Sequence, residues 1–281
     1  MSRPKVTIAP KATALTIAGS DPSGGAGLQA DLKAFQQNGV YGMSAVTLLT
    51  VQNTVGITRV DVMPVDLVLQ QIDAVLDDIP PRAVKTGALG NAENIAAVAD
   101  RLADYDVPLV VDPVMVSKHG DPLADDASVE AYRQSLFPIA SLITPNRFEA
   151  ERLLGRSLQD ADRDALFDAA FELASLGSRY VLLKAGRLGD QRCHVFVDGE
   201  QCQAFEVPDH DSKQTHGAGC ALSATLTARL ALTTPKDGDA TAQFEAAVLF
   251  GIRAVNQAVA HAAGLGGGCG PVESRILHIG D

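Results

Sequence analysis

Ala14-Leu15-Thr16-Ile17-Ala18-Gly19-Ser20-Asp21-Pro22-Ser23-Gly24-Gly25-Ala26-Gly27 is the stretch from which the fold can be read. Residues 14–18 form a short apolar run ended by a turn signal, the pattern of a strand buried on both faces. Residues 19–25 are turn formers. Beyond them Leu28, Leu32 and Phe35 recur at helical spacing, and Gly39 supplies a C-terminal stop. Strand, glycine turn and helix open a parallel α/β unit, and such units bind ligands beyond the carboxyl ends of their strands.

The same alternation continues outward from this unit. Residues 44–51 read as a second buried strand, and Pro64 opens a helix with Leu67, Val68, Ile72, Val75, Leu76 and Ile79 on its apolar side. Strands are expected at 83–86, 109–111, 141–144 and 180–184, with helices near 91–103, 129–136, 146 onward and 163–176. An Asp198-Gly199 turn predicts a two-residue hairpin that pairs Val195 with Cys202. Helices near 221–232 and 243–262 close the chain. The expectation is an α/β fold: a three-layer αβα sandwich with a mostly parallel central sheet and an antiparallel edge hairpin. No repeat or linker divides it, so residues 1–281 read as one domain with a flexible N-terminus at 1–12.

Two glycine-rich turns compete as phosphate binders. The chain has no Gly-Lys dipeptide, which excludes a Walker A loop. Residues 25–30 fit GxGxxA, but no acidic residue lies between Asp31 and Asp61 to hold a dinucleotide ribose. The stretch Thr215-His216-Gly217-Ala218-Gly219-Cys220 precedes a helix carrying Leu222, Leu226 and Leu230. Glycines at a helix start leave backbone N–H groups free to converge on a phosphoryl group. Cys220 falls in the first turn, where the dipole is expected to lower its pKa and make it a base.

Composition narrows the partners. Asp+Glu 34 against Lys+Arg 23 gives a net charge of −11, unsuited to nucleic acid or an anionic membrane. No apolar run spans a bilayer and no secretory h-region is present. Four cysteines in 281 residues are not a disulfide framework, and the hairpin register separates Cys193 from Cys202. A reduced, cytoplasmic protein is expected, without a structural zinc site.

Taken together, residues 14–27, Gln29-Ala30-Asp31-Leu32-Lys33, Gly39-Val40-Tyr41-Gly42-Met43, Gln52-Asn53-Thr54, Asp112-Pro113-Val114-Met115, Thr144-Pro145-Asn146 with Glu149-Ala150, residues 216–220 and Gly270-Pro271-Val272 resemble the bacterial hydroxymethylpyrimidine/phosphomethylpyrimidine kinases. The likeness is collinear over nearly the whole chain and implies a ribokinase-like fold. It also implies ATP-dependent phosphorylation of a hydroxymethylpyrimidine and then of its monophosphate, for thiamine diphosphate synthesis.

Carried over, the resemblance makes Gly217, Ala218 and Gly219 the anion hole and Cys220 the base. It assigns Gln52 to the pyrimidine, with Asp31 facing an exocyclic amine and Gly19, Ala26 and Ala88 lining the pocket. Asn146, Lys184 and Thr215 would meet the nucleotide. Asp112 and Glu149 would hold Mg²⁺, often through water, and a monovalent cation and a homodimer are further expectations. The segment 259–270 is the candidate for the adenine side.

One position departs from the pattern. The family carries Gly-Met-Leu where this chain has Gly87-Ala88-Leu89. The smaller side chain leaves room for a larger ring such as pyridoxal, whereas Gln52-Asn53-Thr54 favours the pyrimidine. A pyridoxal or dual-specificity kinase is therefore the alternative. A binding protein without turnover and a nicotinamide-linked oxidoreductase are the readings from other classes.

Overall fold

The computed structural model describes residues 12–116, 124–233 and 240–279. The expected N-terminal tail lies outside the described residues up to residue 11, and Ala12 is already in the first strand. Among the described residues nine strands form one sheet: β1 (Ala12–Ser20), β2 (Val40–Gln52), β3 (Ile57–Val62), β4 (Ala83–Thr86), β5 (Leu109–Val111), β6 (Leu142–Ile143), β7 (Tyr180–Leu188), β8 (Gln191–Val197) and β9 (Cys202–Pro208). Their order is β3-β2-β1-β4-β5-β6-β7-β8-β9. β2, β1, β4, β5, β6 and β7 are parallel, and β3, β8 and β9 add antiparallel pairings at the two edges.

Among the described residues eight α-helices cover the faces: α1 (Gly27–Gln37), α2 (Val65–Asp78), α3 (Ala92–Leu102), α4 (Asp126–Ala131), α5 (Arg147–Leu154), α6 (Arg163–Ala174), α7 (Ala218–Leu232) and α8 (Ala240–Ala260). The strands sort their side chains by parity. Leu15, Ile17, Val84, Val111, Ile143 and Val181 pack with α2 to α6 in one core. Ala14, Ala83, Val110, Leu142 and Leu182 pack with α1, α7 and α8 in the other. Alternating residues thus feed two cores, which is why these strands read as unbroken apolar runs. None of the described helices is long and apolar enough to cross a membrane.

Three expectations are corrected. The edge strand β3 was not anticipated, because its residues are mostly exposed and carry no core signal. The β8–β9 hairpin pairs Val197 with Cys202 and Val195 with Ala204. Its tip is therefore residues 198–201, where Asp198 Oδ1 accepts from the N–H groups of Glu200 and Gln201. The side chain, not a two-residue turn, closes the loop. Leu67 and Ile79 are exposed, so the buried stripe of α2 is Val68, Ile72 and Leu76.

Candidate active site

The carboxyl ends of β1, β4, β5, β6 and β7 share one edge, and the two glycine turns meet there. Asp21 organises the first turn. Its carboxylate accepts from Ser23 N–H (2.9 Å), Ser23 Oγ (2.9 Å) and Ala26 N–H (2.8 Å). Burial alone would raise this carboxyl; hydrogen bonds from His216, Ser23 and Ala26 hold it below the usual range. Gly27, at φ +55°, starts α1; a Cβ there would stand 2.3 Å from the Gly19 carbonyl oxygen. Only glycine permits that approach.

The second turn lies directly on the first. Gly217 is the left-handed residue before α7, at φ +74°, and a Cβ on it would stand 1.8 Å from the Gly25 carbonyl oxygen. Ala218 N–H turns back to the Thr215 carbonyl (3.2 Å) and Ala221 N–H to that of Gly217 (2.8 Å). Among the described residues the N–H groups of Gly217, Gly219 and Cys220 have no acceptor, which leaves these three amides for an anion. Ala218 is thus corrected from amide donor to loop closer.

Cys220 is half-buried, in the first turn of α7. Its thiol is pushed up to about 12, because desolvation outweighs the Lys85 ammonium and the Gly27 N–H; Asp31 and Asp112 push the same way as burial. The expected lowering by the helix start is overturned. A helix end contributes about 0.3–1 kcal/mol, too little to offset the loss of water around a thiolate. In the free protein at neutral pH, Cys220 is a thiol.

Beneath this loop Lys85 Nζ donates to Asp31 Oδ2 (2.8 Å), which also accepts from Thr16 Oγ1 (2.6 Å). Both side chains of the pair are 0% exposed. Asp31 is therefore corrected from pocket lining to buried counterion, although its Oδ1 has no donor among the described residues. A fully buried lysine is rare unless paired, and a lysine inside the apolar run Ala83–Thr86 is the signal that would have found it.

Toward β5, Lys184 Nζ donates to Asp112 Oδ1 (2.8 Å), and Ser223 Oγ donates to Oδ2 (3.2 Å). Burial opposes the Asp112 charge, but Lys184 and Lys85 hold the carboxyl below the usual range. A Cβ on Gly219 would stand 3.3 Å from Lys184 Nζ, so the glycine brings the amide loop over this ammonium. Asn146 and Glu149 form a capping box on α5: Asn146 Oδ1 accepts from Glu149 N–H (3.0 Å), and Glu149 Oε2 from Asn146 N–H (2.7 Å). The cap thus engages Asn146 Oδ1. Burial pushes the Glu149 carboxyl up to about 8, with Asp112 reinforcing and Lys184 opposing.

On the opposite side Gln52 ends β2, its Oε1 accepting from Thr50 Oγ1 (3.1 Å), a hydroxyl that also reaches the Ser20 carbonyl (2.9 Å). Gln52 and the β1 turn are thus neighbours. The Ala88 carbonyl accepts from Thr47 Oγ1 (2.6 Å), and its side chain is half-buried beyond β4. Ala26 is also half-buried, whereas Gly19 is buried, with Leu48 filling the space beside its Cα. Gly19 is corrected to a packing position. Thr215 Oγ1 lies 3.5 Å from Cys269 Sγ. The run 264–269 sits on Thr54: Cys269 N–H donates to the Thr54 carbonyl (2.8 Å) and Gly268 N–H to Thr54 Oγ1 (3.3 Å). That segment therefore lies against the Gln52–Thr54 turn and reaches Thr215.

Free amides, two buried ammonium groups and a thiol converge on one edge of the sheet, an arrangement that favours a group gaining negative charge as it is transferred. On this three-layer αβα frame they define the class of ribokinase-like kinases. The sequence profile described as phosphomethylpyrimidine kinase matches residues 21–273. A hydroxymethylpyrimidine/phosphomethylpyrimidine kinase of Synechococcus elongatus is 42% identical over 262 residues, covering 92% of this chain and 95% of that protein. The phosphomethylpyrimidine kinase structure from Clostridium difficile 630 superposes with a TM-score of 0.72 at 37% identity, over 87% of this chain and 99% of that one. The pyridoxal kinase of Staphylococcus aureus, in complex with AMP-PCP and pyridoxal, superposes with a TM-score of 0.82 at 31% identity, over 94% of each chain. The chain belongs to the phosphomethylpyrimidine kinase family, and it is a phosphotransferase.

Proposed function

We propose that this chain transfers the γ-phosphoryl group of ATP to 4-amino-5-hydroxymethyl-2-methylpyrimidine, and then to its monophosphate, in thiamine diphosphate synthesis. The observation that carries this reading is the seating of the Gly217–Cys220 loop on the turn next to Gln52. The alcohol oxygen attacks the γ-phosphorus, the bond to ADP breaks, and the alcohol proton passes to the Cys220 thiolate. Free N–H groups of the loop and Lys184 take up charge on the transferring oxygens. Lys85 and the Gly27 N–H favour the thiolate that burial disfavours. The Gln52 amide offers a donor and an acceptor to the ring. Incubation with Mg·ATP tests this: mass spectrometry should find the monophosphate and then the diphosphate, and an unmodified pyrimidine overturns the reading.

Asp112 and Glu149 suit a Mg²⁺ ion held mainly by phosphate and water. They are oxygen donors close together, yet both already accept protein hydrogen bonds, and no group of three ligating side chains occurs among the described residues. Mg²⁺ bound there neutralises phosphate charge; a monovalent cation is a further expectation of this reading. With a net charge of −11, nucleotide affinity rests on these local groups. Calorimetry should therefore show Mg·ATP binding that depends strongly on the divalent ion and only modestly on monovalent salt; a steep salt dependence contradicts this.

Gln52→Ala should raise KM for the pyrimidine by roughly 10- to 100-fold and leave KM for Mg·ATP unchanged. An unchanged pyrimidine KM would remove Gln52 from the site. Ala88 favours a second reading, pyridoxal phosphorylation, because it leaves space where the family pattern has methionine. We read the chain as one kinase domain, cytoplasmic in keeping with its four free thiols. It acts as a homodimer joined through the exposed apolar side chains of the β2–β3 ribbon, Leu49, Val51, Val60 and Val62. Sedimentation equilibrium of the wild type and Val51→Asp tests this: a monomeric wild type contradicts it.

A further inference from the structure

His216 stands where three segments distant in sequence meet. Its Nε2 lies 2.7 Å from Asp21 Oδ2, and both side chains are buried. Pairing with a carboxylate requires the proton on Nε2, and Nδ1 has no partner among the described residues. Its backbone is fixed as well. His216 N–H donates to the Gly270 carbonyl (2.9 Å), and the His216 carbonyl accepts from Val272 N–H (3.3 Å). Gly25 leaves room for the ring, since a Cβ there would stand 2.3 Å from His216 Cδ2.

The partner of this imidazole cannot move away. Asp21 is held by Ser23 and Ala26, the hydrogen bonds that shape the turn beside the alcohol pocket. His216 immediately precedes Gly217, which rests on the Gly25 carbonyl. The amide loop is thus tied to the first turn at its start, by the His216–Asp21 hydrogen bond and by Gly217 seated on Gly25.

We propose that His216 and Asp21 are positioning residues, whose hydrogen bond sets the Gly217–Cys220 amides at the position that the transferring phosphoryl group occupies relative to the alcohol. The proposal rests on the reading of that loop as the phosphoryl cradle. A small misplacement of preorganised donors weakens transition-state stabilisation far more than ground-state binding. Loss of the bond therefore lowers kcat and spares both KM values. Glutamine at 216 can return an N–H donor near the Nε2 position and should restore much of the rate.

The experiment compares wild type, His216→Ala, His216→Gln and Asp21→Asn in steady-state assays with hydroxymethylpyrimidine and Mg·ATP, each variant first shown to melt cooperatively. His216→Ala is expected to lose about 100-fold in kcat or more, with both KM values within about threefold of wild type. His216→Gln should recover to within about tenfold of wild type, and Asp21→Asn should repeat the kcat loss, because its amide nitrogen meets donors that the carboxylate accepted. Unchanged kcat in His216→Ala overturns the proposal, as does a loss confined to KM or a glutamine variant no better than alanine. Should His216→Ala not fold, Asp21→Asn and His216→Gln decide: unchanged kcat in Asp21→Asn, or a kcat loss in His216→Gln as large as that in Asp21→Asn, overturns it. Failure of the cradle reading appears instead in the wild type, as absent turnover.

Discussion

Cys220→Ala is expected to lower kcat by roughly 10²- to 10⁴-fold, the usual contribution of general acid–base catalysis. KM for Mg·ATP should stay within about threefold, because the loop amides and Lys184 remain. The pH dependence adds a second signature. Desolvation pushes the Cys220 thiol up to about 12, against the pull of Lys85. Only the thiolate accepts the alcohol proton, so the active fraction grows as pH rises. The wild-type rate should therefore climb through the neutral and mildly alkaline range, and the alanine variant should lose that climb. A wild-type plateau already at pH 7, or an alanine variant with unchanged kcat, would show that Cys220 is not the base.

Gly217→Ala should cost about 3 kcal/mol of stability and roughly 10³-fold in kcat, from a single added methyl group. The methyl would stand 1.8 Å from the Gly25 carbonyl oxygen, and that neighbour is backbone, unable to rotate away. Either the loop lifts off the first turn or the turn itself shifts, and both moves displace the amides. Gly155 provides the control. It too is left-handed, at φ +68°, but nothing lies within 4 Å of the site of its missing Cβ. Gly155→Ala should therefore cost only the backbone strain, about 1 kcal/mol, with kcat unchanged. Thermal melts and steady-state rates of the two variants decide this. Equal effects at both positions would mean that backbone strain, not contact between the turns, governs the loop.

How far the sequence reaches is clear from particular segments. The strands at 83–86 and 109–111 coincide with β4 and β5, since a fully buried parallel strand carries a dense apolar signal. The strand β3 carries none, because it pairs along one edge and faces solvent. In the site, the Gly217–Cys220 loop was legible because glycine spacing before an apolar helical run has a mechanism of its own. The Asn-x-x-Glu spacing of Asn146 and Glu149 reads as ligand positions, and in the structure the same two side chains also cap α5. Asp21–His216 and Lys85–Asp31 join residues 195 and 54 positions apart, and no local pattern announces such pairs. The acidity of Cys220 was misjudged for a related reason: the helix start is visible in sequence, whereas the burial that outweighs it is a property of the assembled fold.

The decisive comparison is kcat/KM for hydroxymethylpyrimidine against pyridoxal, with saturating Mg·ATP and the same enzyme preparation. The arrangement of Gln52 beside the first glycine turn predicts a preference for the pyrimidine of at least about tenfold, roughly 1.4 kcal/mol of transition-state discrimination. Equal values, or a preference for pyridoxal, would contradict it and give Ala88 the larger say in specificity.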